Sequence, residues 1–238
     1  WGVLDSVAQA HAQRLCIIAL CHHPLALESG LSLQNAAALH ESEGRALRAA
    51  AAILVTSDET ARTLVSQFDV NSACITVALP GTDAVPPAPC TGNPPVLLSL
   101  ATLTRRKGHD VLIAALASLV DLPWTARLVG GDHFDSAWSA HLHALVIKYG
   151  LAERIAFTGS CETPADEYAQ ADVFVLPSRY EGYGMVFADA LACGLPIVAC
   201  AAGAVTGTVP ASAAKLVPVD DALALATAIR ELLMNPNA

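Results

Sequence analysis

The stretch Val173-Phe174-Val175-Leu176-Pro177-Ser178-Arg179-Tyr180-Glu181-Gly182-Tyr183-Gly184-Met185-Val186-Phe187-Ala188-Asp189-Ala190-Leu191-Ala192-Cys193-Gly194-Leu195-Pro196-Ile197-Val198-Ala199 decides the fold. Val173 to Leu176 is a short apolar run that stops at Pro177-Ser178. Met185 to Cys193 has helical spacing, and Gly194 ends it. Pro196 to Ala199 is a second apolar run. Strand, helix and strand in this order make a crossover unit, which joins parallel strands. Both strands are apolar throughout and not alternating, so both faces of the sheet are expected to be covered.

The same pattern extends outward. Strands are expected at Val96–Leu100, Ala126–Gly130, Ile155–Thr158 and Lys215–Pro218. Helices are expected at Gly108–Leu119, Ser136–Tyr149, Pro164–Gln170 and Ala222–Leu233. Upstream, strands Arg14–Leu20, Ala52–Thr56 and Cys74–Ala78 alternate with helices Glu41–Ala51 and Glu59–Phe68. Ser57-Asp58-Glu59-Thr60 caps the second of these helices. The fold class is therefore α/β, with parallel sheets covered by helices and a binding edge at the carboxyl ends of the strands.

Between the two blocks, Pro86, Pro87, Pro89, Gly92, Pro94 and Pro95 exclude any regular element. The expected organisation is a partial N-terminal domain over 1–85, a linker over 86–95 and a C-terminal domain over 96–238. Three strands leave a sheet edge bare. The first block is thus expected to lack its own first part, the alternative being a small accessory lobe, and the missing initiator Met agrees with a processed or truncated chain.

The 238 residues are 54% hydrophobic and only 15% charged, which excludes intrinsic disorder. A net charge of −9 argues against binding a nucleic-acid backbone but leaves room for one nucleotide. Charged residues, Pro or Gly interrupt every apolar stretch before the ~20 residues that a membrane span needs. The seven Cys are odd in number and form no CxxC pair, so buried thiols in a reducing compartment are expected, not disulfides or zinc.

Chemistry concentrates in four places. Glu181 follows a strand and precedes a helix; Gly182 and Gly184 leave backbone N–H groups uncovered beside that helix start. Asp189, eight residues on, can face the same crevice and hold a second hydroxyl of one ligand. A capping Glu and a solvated Asp suit the spacing equally well. Arg105, Arg106 and Lys107 lie between a strand end and a helix start, fit to neutralise phosphates or to form a solvated basic turn. Gly130-Gly131 ends a strand where a ligand can approach closely, and matches neither GxGxxG nor a P-loop. His22-His23 follows the first strand, where one ring must face outward for substrate contact or base chemistry. Adjacent His point apart, so no metal site is expected.

Together these residues resemble retaining GT-B glycosyltransferases of the group 1, or family 4, type. The signature is Glu181, seven residues, an acid at 189, a small-residue helix and Gly194-Leu195-Pro196. Lys107-Gly108, Val129-Gly130-Gly131, Phe157-Thr158-Gly159 and Leu216-Val217-Pro218 extend the match. The resemblance implies two Rossmann-like domains facing a cleft, the N-terminal one incomplete here. It implies sugar transfer from a nucleotide-sugar, UDP- or GDP-linked, with retention of anomeric configuration and no metal or cofactor. Lys107 would hold the diphosphate, with Arg105, Arg106, Thr102 and Gly131 nearby. Glu181 would meet sugar hydroxyls beside the backbone of Gly182, Tyr183, Gly184 and Met185, and Asp189 the ribose. His22 or His23 matches the family's sugar-contacting His. A carbohydrate or lipid-linked acceptor, a cytoplasmic location and peripheral contact with the inner membrane face go with that reading.

Three positions depart from the family pattern. Asp189 replaces Glu, Thr102 stands where an Arg is common, and Gly207 where many members carry Glu. Two other functions share the architecture: a non-catalytic nucleotide-sugar-binding module or partner subunit, and a sugar-nucleotide epimerase.

Overall fold

A computed structural model describes residues 2–235. They form two compact units. One takes the chain up to Gly81 together with Glu181–Tyr183; the other takes Thr82–Tyr180 and the chain from Gly184 onward.

The first unit holds α1 (Asp5–His11), β1 (Ile18–Cys21), α2 (Leu33–Arg48), β2 (Ala52–Val55), α3 (Asp58–Phe68) and β3 (Ile75–Val77). Its strands run parallel in the order β1-β2-β3. Ala19, Cys21, Ile53 and Val55 point to one face and pack with Leu47, Leu64 and Phe68. On the other face Ile18 and Leu20 are 58% and 51% exposed. Ser57 caps α3 by accepting from Thr60 N, and the first-turn acids Asp58 and Glu59 suit the positive end of its dipole.

This unit departs from the sequence reading in three ways. Helix α1 was not anticipated. Strand β1 starts at Ile18 and not Arg14, because Arg14 and Leu15 turn back to donate to the His11 carbonyl. Helix α2 starts at Leu33 and not Glu41, capped by Ser32, whose hydroxyl accepts from Asn35 N.

The second unit holds β4 (Val96–Leu100), α4 (His109–Ala117), β5 (Thr125–Val129), α5 (Ser136–Lys148), β6 (Ile155–Gly159), α6 (Pro164–Ala169), β7 (Val173–Leu176), α7 (Met185–Ala192), β8 (Ile197–Cys200), α8 (Val205–Thr208), β9 (Ala214–Val217) and α9 (Ala222–Met234). All six strands are parallel, in the order β6-β5-β4-β7-β8-β9. Successive side chains alternate between two cores. Leu97, Val175 and Val198 pack with Leu112, Trp124 and Ile229. Leu98, Phe174 and Ile197 pack with Phe187, Ala190 and Val205. Residues buried on both faces explain why β7 and β8 read as unbroken apolar runs.

The chain leaves β4 toward β5 and β6, then returns to β7 and continues to β9. The sheet order is that of a doubly wound nucleotide-binding fold, with its switch point between β4 and β7. The Pro-rich stretch carries no helix or strand and lies along this unit. Ala88 N donates to Cys193 O. The Asp172 carboxylate accepts from Gly92 N at 2.8 Å and Val96 N at 2.7 Å.

All seven cysteines are free thiols. Only Cys21, Cys193 and Cys200 are buried; Cys16 and Cys90 are exposed, against the expectation that most are buried. Among the described residues no helix is long and apolar enough to cross a membrane.

Candidate functional site

Ligands of doubly wound sheets bind outside the carboxyl ends of the strands at the switch point. Here the two connections at that point are β4–α4, which carries Arg105-Arg106-Lys107-Gly108, and β7–α7, which carries Ser178 to Gly184.

These two connections are stitched together within the second unit. Arg179 N donates to Arg106 O at 2.7 Å. Arg106 Nη1 donates to Tyr180 O at 3.0 Å. Gly108 closes the stitch. Its φ is +69°, and a Cβ there would come within 2.1 Å of Pro177 O, so a side chain is excluded both by conformation and by space. Lys107 is the last residue of a single 3-10 turn and is partly buried.

Arg105 and Arg179 each have partners within the second unit. The Arg105 guanidinium lies 4.4 Å from the Trp138 ring centroid and 3.6 Å from Asp135, the residue that caps α5. Arg179 faces two acids: Nη1 and Nη2 reach Asp110 at 3.1 and 2.8 Å, and Nε reaches Asp220 at 2.7 Å. Burial pulls its pKa down, but Asp110 and Asp220 outweigh that and hold it above the ordinary guanidinium value.

His109 opens α4 directly after Lys107-Gly108 and is fully buried. Neither ring nitrogen has a hydrogen-bond partner. Burial first, and the Lys107 charge second, push its pKa down to about 4, so the ring is neutral at pH 7. Helix α7 starts at Met185 after Gly184, with no side chain capping its first turn. Asp189 stands in the middle of α7, partly buried. Burial raises its pKa, helped by the Asp83 carboxylate. Thr102 and Gly131 lie just past β4 and β5, joined through the next residue: Leu103 N donates to Gly131 O at 3.0 Å.

The first unit collects the remaining predicted residues. Glu181 is 5% exposed. Gly182 lies so close to His22-His23 that a Cβ would come within 2.1 Å of His22 O and 3.0 Å of His23 Cβ. Ser57 Oγ and Thr60 Oγ1 donate to Gly182 O at 2.5 and 3.2 Å. His23 Nε2 meets Glu28 at 3.1 Å. The turn between them is pinned from below: the buried Glu43 carboxylate accepts from Leu25 N and Ala26 N, both at 2.9 Å. Tyr183 is partly buried. Among the described residues no cluster of three His, Cys, Asp or Glu suits a metal ion.

Sequence reasoning missed Glu43 and the Asp110–Arg179–Asp220 group. Glu43 sits in a polar helical stretch that reads as solvated. Asp110 and Asp220 are far from Arg179 in the chain and carry no spacing signal.

A groove of about 810 Å³ lies elsewhere, at the amino ends of the strands, bordered by Cys90, Pro95, Val173, Pro196 and Lys215. The chemistry-bearing loops are at the opposite strand ends.

Residues 94–235 match the family model described as glycosyl transferases group 1. The chain belongs to that family. A GDP-mannose-dependent alpha-(1-6)-phosphatidylinositol monomannoside mannosyltransferase of Mycolicibacterium smegmatis is 36% identical over 160 residues, 61% of this chain and 40% of that protein. A D-inositol 3-phosphate glycosyltransferase of Catenulispora acidiphila is 30% identical over 216 residues, 82% of this chain and 51% of its own length. The structure of sucrose-phosphate synthase from Thermosynechococcus elongatus superposes with a TM-score of 0.85 at 28% identity, covering 99% of this chain and 63% of that one. The two parallel-sheet units are thus Rossmann-like units of the GT-B type. The chain spans about half or less of the length of these two relatives.

Proposed function

We propose that this group 1 chain binds a nucleoside diphosphate sugar and belongs to an enzyme that transfers the sugar with retention of configuration. The observation that carries the reading is the meeting of the Lys107-Gly108 and Ser178–Gly184 connections at the switch point of the six-stranded sheet. Lys107 and the uncapped start of α7 supply positive charge where the leaving diphosphate gains negative charge. Glu181 receives sugar hydroxyls beside the backbone of Gly182, Gly184 and Met185. Asp189 takes the ribose, one methylene shorter than the Glu usual in the family. His22 or His23, the latter held by Glu28, contacts the transferred sugar, as the family resemblance implies.

Arg105 stacks on Trp138 and Arg106 holds Tyr180 O. Lys107 carries the phosphate contact that an Arg at position 102 would share, as the family resemblance implies. The dependence of the mycolicibacterial relative on GDP-mannose makes GDP the first ligand to test. The acceptor is a carbohydrate or a lipid-linked one. The unpaired thiols support a reducing, cytoplasmic setting.

Calorimetric titration with UDP, GDP and their sugars tests the donor site, and no binding of any of them sinks it. In an active polypeptide that includes this chain, Glu181→Ala should lower turnover by about 100-fold or more with folding intact. Unchanged turnover removes Glu181 from the mechanism. A non-catalytic binding module is the second reading, favoured by Thr102 and Asp189. Nucleotide binding without donor hydrolysis or transfer in that same polypeptide would select it.

A further inference from the structure

Arg179 stands out among the charged groups near the switch point, because it contacts the β4–α4 connection, the first turn of α4 and the β9–α9 connection at once. Its side chain donates to Arg105 O and, as a fork, to both Asp110 oxygens. Its Nε donates to Asp220, on the β9–α9 connection, where Asp220 holds a left-handed φ of 59°. Its own backbone N–H donates to Arg106 O. Arg105 and Arg106 immediately precede Lys107, and Asp110 follows it by three residues. The contacts of Arg179 therefore bracket Lys107 on both sides. A Lys cannot replace this arrangement, since an ammonium lacks the planar fork that matches a carboxylate.

We infer that Arg179 is a positioning residue for the donor site: it fixes the turn that presents Lys107 against the start of the β7–α7 connection, within the second unit. The inference rests on the donor-site reading above. Arg179 touches no ligand in this role. Its own charge is already matched by Asp110 and Asp220, so it adds little positive charge for a phosphate. It acts through Lys107 by removing the freedom of the turn before the ligand arrives, and that preorganisation shows as affinity.

The test is a double-mutant cycle read by titration of GDP and UDP into the 238-residue chain. Lys107→Ala should weaken binding by about 30-fold, the scale of one charge-assisted contact to phosphate. Arg179→Gln should weaken it by about 10-fold and Arg179→Lys by about 3-fold, both with a cooperative melt retained. The double variant Lys107→Ala, Arg179→Gln should be no weaker than Lys107→Ala alone, because residues acting through one another are not additive. A general loss of structure would add to the Lys107 effect in place of merging with it.

Fully additive losses, or unchanged affinity in Arg179→Gln, overturn the positioning role while leaving the donor site standing. Unchanged affinity in Lys107→Ala, or no binding by the unaltered chain, overturns the donor-site reading and the positioning role with it. If Arg179→Gln does not fold, Asp110→Asn removes the fork's partner with the Arg in place, and the same cycle is run with it. Merging losses support the inference there, and additive ones overturn it.

Discussion

Strand β1 of the first unit and strand β7 of the second have the same kind of sequence and different surroundings. Ile18-Ala19-Leu20-Cys21 is as apolar as Val173-Phe174-Val175-Leu176. Yet β1 alternates exposed and buried residues, while β7 is buried at every position. The difference is in what lies on the second face. Two helical layers and two cores cover both sides of the six-stranded sheet, whereas Ile18 and Leu20 remain largely open. An apolar run in a parallel strand therefore reports the burial its sequence is suited to, and a structure can supply only part of it.

Four substitutions test that contrast, two in each unit. The largest effect is expected from Val175→Asp. It places an unpaired carboxylate between strands that are closed to water, costing upwards of about 4 kcal/mol. Trp124 and Trp138 lie in the core of that unit and report its loss by fluorescence during urea unfolding. A cooperative transition at the parent midpoint would show that β7 is not the closed centre described.

Next is His109. Its native pKa of about 4 lies below the ordinary 6.5, so the unfolded chain binds the proton first. Stability is whole above pH 6.5 and falls as pH drops from 6.5 toward 4, by up to about 3 kcal/mol from this residue. His109→Leu should flatten that part of the curve of melting temperature against pH. An equally steep acid limb in the variant would put the titration on other groups.

Glu43 is the satisfied counterpart of His109 in the first unit, with two backbone N–H groups on its carboxylate. Glu43→Ala should cost about 2 kcal/mol, since bonds to a charged acceptor exceed ordinary ones. Amide exchange at Leu25, Ala26 and Ile53 would follow it; protection left intact at Leu25 and Ala26 would contradict the pinning of the His23–Glu28 turn.

The smallest effect belongs to Leu20→Asp. On an open face it should change stability by less than about 1 kcal/mol. A cost close to that of Val175→Asp, or a change in sedimentation, would mean that this face is covered in solution.

How much of this was legible in the chain follows the same contrast. The strands of the second unit stand out because each carries side chains for two cores, leaving no polar residue to blur the run. The start of α2 was hidden because Leu33 is 92% exposed, so helical periodicity is absent from its first turn although Ser32 gives a cap. The apolar run at the first strand is longer than the strand itself, because Leu15 and Cys16 are apolar but lie between α1 and β1 and not in the sheet.

At the site, Glu181, Lys107 and the glycines between helix and strand are local patterns and could be read directly. The Arg179 contacts with Asp110 and Asp220 join residues 69 and 41 positions apart, and only the folded chain brings them together. The stacking of Arg105 on Trp138 is equally invisible in the sequence, where Arg105 looks like any other cation beside Lys107.

The Pro-rich stretch between the units has a mechanical consequence. Ala78 N is tied to Val55 O, while Val85 and Ala88 already rest on the core of the second unit. The stretch between these two attachments is Leu79 to Ala84. Even fully drawn out, six residues reach only about 20 Å. Most of what reads as a long flexible connection is instead fastened to the second unit, at Val85 and Ala88 by its core and at Gly92 and Val96 by Asp172.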